Sequence, residues 1–207
     1  MALPVLSDLD APWTLGGGTG LFLSLRHRIS YDIDIFMEDP RTLKRIAGDP
    51  RVRQISDNWQ FPGNYLKLVR SEGEIDFILA SSITEDCFFA YDFKGLSIRV
   101  ETPSEIIAKK IRHRGHAVTI RDLFDFASAM EHDPGLIEKL RTTLYQNDFE
   151  KTLARVNLLK DNFPSGSLSQ FIHIIGTEAS LPEIYDIVTK ALSAKIRRDH
   201  EYANAGH

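Results

Sequence analysis

Cysteine is nearly absent: Cys87 stands alone among 207 residues. That excludes an intramolecular disulfide and any zinc site built on several thiolates. No apolar run approaches the ~18 residues that would span a bilayer. The opening MALPVLSDLDAP has no basic stretch ahead of an apolar one, so neither a membrane span nor a signal peptide is expected. G-x-S-x-G and G-x-x-x-x-G-K are also missing, which argues against serine-hydrolase and P-loop chemistry. Positive charge is not in excess: 25 Lys and Arg against 29 Asp and Glu leave −4. A protein that coats phosphate over its whole surface is thereby excluded, although a local basic face is not. What the chain does have is 43% hydrophobic and 10% aromatic residues, enough to build a core. The expectation is a cytoplasmic domain of mixed α and β structure, or such a core with a helical extension.

The pattern changes near residue 101. Before it, an apolar run at Pro12–Leu15 meets Gly16-Gly17-Gly18-Thr19-Gly20 and then Leu21–Leu25, which reads as strand, glycine turn, helix. Tyr31–Phe36 alternates with period two and predicts a strand. Asp39-Pro40 opens a helix around Thr42–Ala47. Tyr65–Arg70 and Glu74–Ala80 flank Ser71-Glu72-Gly73, a hairpin signal. Leu96–Glu101 is another strand, while the aromatic stretch Cys87–Lys94 fits neither period. Beyond it, Thr102-Pro103-Ser104-Glu105 and Thr119-Ile120-Arg121-Asp122 carry helix-start spacing. Further helices are expected at Pro134–Tyr145, Asp148–Lys160, Ser167–Gly176 and Leu181–Arg198. The division is therefore a core over 1–101 and a helical region over 102–207.

Asp32 and Asp34 are two apart on a strand, so both side chains leave one face, ~6.6 Å apart along it. Ile33 and Ile35 take the opposite face. Such a pair repels unless a positive charge lies between, and a hard divalent cation with oxygen ligands suits it. A bare D-x-D is short and common, and a solvated acidic strand face is its ordinary explanation. The glycine turn ahead of it adds exposed amides at a helix start, which attract phosphate. Asp76, between Ile75 and Phe77, is the third candidate; beside the first strand it would bring three carboxylates together, as two-metal phosphoryl transfer requires.

This ordered set resembles the nucleotidyltransferase superfamily, and more narrowly the abortive-infection toxins of the AbiEii/AbiGii type. The stretches that carry the likeness are LGGGTGLFLSLRHRISYDIDIF, EIDFILA and PSEIIAKKIRHRGHAVTIRDLFDFA. The resemblance implies an α+β nucleotidyltransferase-like fold, a mixed β-sheet flanked by helices and followed by a helical region. It implies transfer of a nucleotidyl group from an NTP to an acceptor hydroxyl on RNA, a tRNA end or a protein, often by the toxin of an antitoxin pair. Two Mg²⁺ ions would be held by Asp32, Asp34 and Asp76, with Asp76 also a candidate base. Gly16, Gly17, Gly18 and Thr19 would contact the triphosphate, with Arg28 and Ser30 nearby. Lys109 would bind phosphate and Asp122 would sit close to the nucleotide. The rival expectation is a catalytically silent domain of this kind that binds an antitoxin protein or nucleic acid.

Lys109, Lys110, Arg112, Arg114 and Arg121 form a segment without an acid. It suggests electrostatic docking of RNA, though a solvated helix face accounts for Lys110 and Arg112. Asp122 has an ordinary explanation as the third residue of a capping box after Thr119, and Asp125 one turn later is a weaker candidate. His113 and His116, without a third ligand in register, read as surface residues. Cys87 reads as a small core residue beside Phe88 and Phe89. Trp13 reads as packing, and Trp59 is open between packing and base stacking.

Overall fold

Glycine placement and strand alternation shape the first half of the chain. The computed structural model describes residues 5–6, 11–166, 168, 172–175 and 180–204. In it β1 (Thr14–Gly16) runs directly into α1 (Gly17–Leu25). The expected glycine turn is thus a single junction at Gly17, whose φ of +58° glycine adopts at little cost. β2 (Ile33–Met37) follows. Two short helices, α2 (Pro40–Gly48) and α3 (Pro50–Ile55), each begin with a capping aspartate and a proline. Asp39 accepts from the Arg41 amide and Asp49 from the Arg51 amide, so a donor at each helix start is satisfied. At six residues α3 shows no readable period.

β3 (Asn58–Gln60), β4 (Tyr65–Arg70) and β5 (Gly73–Leu79) form a meander. Arg70 pairs with Gly73, so only Ser71 and Glu72 make the turn. β6 (Phe88–Phe93) and β7 (Leu96–Glu101) form a second hairpin through Lys94 and Gly95, both at positive φ, the primed turn that matches strand twist. The ambiguous stretch is therefore a strand. Aromatic residues on both of its faces conceal the alternation. The sheet order is β3-β4-β5-β2-β1-β7-β6. β2 with β5 and β1 with β7 are parallel, and the other pairs are antiparallel.

On one sheet face Ile35, Met37, Leu66, Leu68, Ile75 and Phe77 pack with Leu43 and Ile46 of α2 and with Val52 and Ile55 of α3. Alternation then sends Asp34, Lys67 and Asp76 to the other face. The expected α+β class, a mixed sheet with flanking helices and a helical C-terminal part, is what forms.

Two units emerge. The sheet unit comprises Met1–Leu23, Ser30–Ser82 and Asp86–Thr102, and the helical unit Ser24–Ile29, Ile83–Glu85 and Pro103–His207. The helical unit holds α4 (Pro103–Arg114), a 3₁₀ turn (Gly115–Ala117), α5 (Ile120–His132), α6 (Leu136–Thr143), α7 (Gln146–Asn162) and α8 (Leu181–Asn204). α5 starts on the expected capping box of Thr119 and Asp122. Half of the helix expected at Ser167–Gly176 lies outside the described residues. Within the rest, Ile29 N donates to His173 O and Ile175 N to His27 O, both at 2.9 Å, so 173–175 is an extended strand partner rather than helix. Among the described residues no helix is long and apolar enough to cross a membrane.

A Cβ at Gly16 would lie 2.6 Å from the Phe36 ring and against Glu101, a buried carboxylate to which Thr14 Oγ1 donates at 2.8 Å. Gly16→Ala is therefore expected to cost about 1–3 kcal/mol. Gly48→Ala, where nothing stands within 4 Å, should gain up to about 1 kcal/mol. Urea midpoints of the two variants check the contrast.

Candidate active site

In the sheet unit Asp34 pairs in register with Asp76 across the parallel β2–β5 ladder, and with Gly16 across β1. The two carboxylates thus hang side by side from neighbouring strands, whose spacing is ~4.8 Å. On the other flank, a Cβ on Gly17 would overlap Asp34 Oδ2. The bare backbone at the start of α1 is what gives that carboxylate its space. Asp32 precedes β2, and its Oδ1 accepts from the Glu74 amide at 3.1 Å. Thr19 Oγ1 donates a short bond to the Asp32 carbonyl, tying α1 to the approach of β2.

Asp76 is the most constrained of the three. Its Oδ2 lies 3.0 Å from Lys67 Nζ, and its buried Oδ1 has no hydrogen-bond partner. Burial raises its carboxyl above the usual range; Lys67 opposes this, while Glu74 and Asp32 add to it. Lys67 also makes a short ion pair with Glu74. Burial alone would lower the Lys67 ammonium, but Glu74 and Asp76 outweigh it and raise it. Neither Lys67 nor Glu74 was anticipated. The signal was the hairpin: a two-residue turn at Ser71-Glu72 fixes Lys67 opposite Asp76.

Oxygen-only donors suit a hard cation such as Mg²⁺. Asp76, with an unsatisfied buried oxygen beside Asp34, fits that chemistry. Asp32, turned to the Glu74 amide, does not complete a triad: among the described residues no three His, Cys, Asp or Glu side chains form a group that could hold a metal. Gly16 ends β1, Gly17, Gly18 and Thr19 form the first turn of α1, and Ser30 is half-buried.

The remaining candidates belong to the helical unit. Arg28 is buried and grips Asp125 with Nε at 2.6 Å and Nη2 at 2.8 Å. His27 Nε2 lies 2.8 Å from the same carboxylate and Lys110 Nζ 3.0 Å. Lys110 also pairs with Asp122 at 2.5 Å, so its expected solvated position is corrected: two carboxylates draw it inward. Asp122 closes its capping box on Thr119, and Arg114 lies 3.7 Å away. Lys109 is buried, 3.4 Å from Glu105, whose carboxylate accepts from the Ile83 and Thr84 amides at 3.0 and 2.7 Å. Arg112 stacks over Tyr145 at 4.9 Å. The basic segment is thus partly turned to internal partners, while Arg114 and Arg121 are exposed. His113 and His116 are exposed, as expected, and Trp59 is partly exposed under Arg53.

The sequence matches no protein-family model and no curated protein. Among solved structures the chain is similar to the antibiotic-resistance factor ANT(2'')-Ia, at 14% identity over 78% of this chain and 94% of that one, with a TM-score of 0.50. The fold is nucleotidyltransferase-like. Similar too are JHP933 from Helicobacter pylori (17% identity, 95% and 88% covered, TM-score 0.47) and an antigenic nucleotidyltransferase-like protein from Paracoccidioides brasiliensis (14%, 78% and 84%, 0.42).

Asp125 permits a test of the helical unit. Burial works against its charge, yet Lys110, His27 and Arg28 prevail and hold the carboxyl far below the ordinary range. A depressed carboxyl contributes stability that is complete above the unfolded value of ~3.9 and drains as pH falls below it. Asp125→Ala, which strands Lys110 and Arg28, should cost about 3–5 kcal/mol at pH 7. The gap to wild type should narrow between about pH 4 and 2. Denaturant melts across that range would show it.

Proposed function

We propose that this protein transfers a nucleotidyl group from an NTP to an acceptor hydroxyl. The observation that supports this reading best is the registered Asp34–Asp76 pair beside the Gly17 helix start, with one buried Asp76 oxygen lacking a hydrogen bond. Asp34 and Asp76 would hold Mg²⁺, with Asp32 as a further ligand once its carboxylate leaves the Glu74 amide. When bound, Mg²⁺ supplies charge neutralisation on the triphosphate. The amides of Gly17, Gly18 and Thr19 at the α1 start bind phosphate oxygens. The acceptor hydroxyl gives its proton to the Asp76 carboxylate as its oxygen bonds to the α-phosphorus. The bond to the bridging oxygen breaks in line, and pyrophosphate leaves. A carboxyl raised by burial suits that role.

The resemblance to AbiEii/AbiGii-type toxins adds the setting: a toxin whose acceptor is an RNA or tRNA end or a protein, restrained by an antitoxin protein. A second reading, a silent nucleotidyltransferase-like binding module, draws on Asp32 being turned to Glu74 and on the lack of a ready three-ligand group among the described residues.

The test incubates purified protein with α-labelled NTPs, Mg²⁺ and total RNA or protein. Labelling is expected, and Asp34→Asn or Asp76→Asn should reduce it at least about 100-fold while both variants melt cooperatively. Growth arrest on induction that requires both residues would extend the result to the toxin setting. Labelling that survives in Asp34→Asn would sink the assignment. No melting shift with any millimolar Mg²⁺–NTP would favour the silent module.

A further inference from the structure

Lys67 lies opposite Asp76 on the sheet face that carries Asp34, and its position is set by the backbone. Two pairings fix it. Lys67 is the cross-strand partner of Asp76 on β4–β5, and Asp76 is in turn the partner of Asp34 on β5–β2. Three neighbouring strands therefore present, in one row, an ammonium, a carboxylate and a carboxylate. Lys67 Nζ approaches Asp76 Oδ2 at 3.0 Å and pairs with Glu74, leaving Asp76 Oδ1 as the buried oxygen without a partner. The two oxygens of Asp76 are thus unequal: one is taken by a tethered cation, the other is not.

We infer that Lys67 is a built-in counter-cation of the metal site, which fixes Asp76 as a one-oxygen ligand and holds down the affinity of the site for free divalent ions. The inference rests on the metal site proposed above. An ammonium is a point charge with three donors and no acceptor, so it competes with a divalent cation for the same carboxylate. A divalent ion at Asp76 Oδ1 feels the Lys67 charge across one carboxyl group, a separation at which like charges repel appreciably in a partly buried setting. Lys67 has only 22% of its side chain exposed, and Asp76 19%, so water screens the pair incompletely. The repulsion falls once the negative triphosphate arrives with its own ion. The site would then take metal with nucleotide in preference to metal alone. Lys67 is in this sense a positioning residue, acting through Asp76.

The test titrates Mn²⁺ alone into the purified full chain, reading free ion by electron paramagnetic resonance, for wild type, Lys67→Met, Lys67→Arg and Asp34→Asn. Lys67→Met should bind Mn²⁺ roughly fivefold or more tightly at low salt, with the gain shrinking as salt rises. Lys67→Arg, which keeps the charge, should stay within about twofold of wild type. In the labelling assay Lys67→Met should lose turnover although it gains metal, an opposition that a merely structural role would not produce. Unchanged or weaker Mn²⁺ binding by a cooperatively melting Lys67→Met, with wild-type binding still lost in Asp34→Asn, overturns the role of Lys67 and leaves the metal site standing. No Mn²⁺ binding by wild type, or binding unaffected by Asp34→Asn, overturns the metal site and this inference with it.

Discussion

The parallel register of β2 against β5 is the constraint on which the sheet unit turns. It sets Asp34 and Asp76 side by side at ~4.8 Å strand spacing, and like charges so close need a compensating charge or a proton. The hairpin supplies part of the compensation. Its two-residue turn brings Lys67 to the far side of Asp76, and no slip is tolerated, because a shift of one residue would send Leu66 or Leu68 to the carboxylates and Lys67 into the core. The apolar packing of Leu66, Leu68, Ile75 and Phe77 against α2 and α3 thus fixes the charge arrangement on the opposite face.

Asp76 and Asp125 show two outcomes of burying a carboxylate. Asp125 is surrounded by His27, Arg28 and Lys110, and both its oxygens accept hydrogen bonds. Its carboxyl is held far below the ordinary range despite burial, and the network joins residues 27–28 to α5 within one unit. Asp76 has one cation on one oxygen, and burial carries its carboxyl upward. The first arrangement is saturated and structural. The second leaves one oxygen without a hydrogen bond.

Legibility followed the range of the interaction. Period-two alternation disclosed β2 and β7, the hairpin signal disclosed β4 and β5, and cap spacing disclosed the start of α5, because those signals lie within a few residues. β6 escaped because Phe88, Phe89, Tyr91 and Phe93 populate both faces, although Lys94-Gly95 marks the turn beyond it. At the site, Asp32, Asp34 and Asp76 were legible as residue types in order. That Asp32 turns to the Glu74 amide was not, since it depends on a contact 42 residues away. Lys110 was misplaced for the same reason: its partners Asp122 and Asp125 lie on another helix, and composition read the segment as solvated.

The glycine run illustrates how a motif and its physical cause can separate. A Cβ at Gly16 would meet Phe36 and Glu101, and one at Gly17 would meet Asp34. Both glycines are therefore required by the packing of side chains behind the strand–helix junction, whether or not a phosphate ever approaches. Their presence alone carries little information about a nucleotide. The unbonded oxygen of Asp76 is different in kind, because a buried polar atom without a partner costs about 1–3 kcal/mol and packing gains nothing from it. Lys67 Nζ, 3.0 Å from the other oxygen, offsets part of that cost. Asp76 Oδ1 is thus a position where burial is offset by no hydrogen bond, whereas both glycines answer to packing.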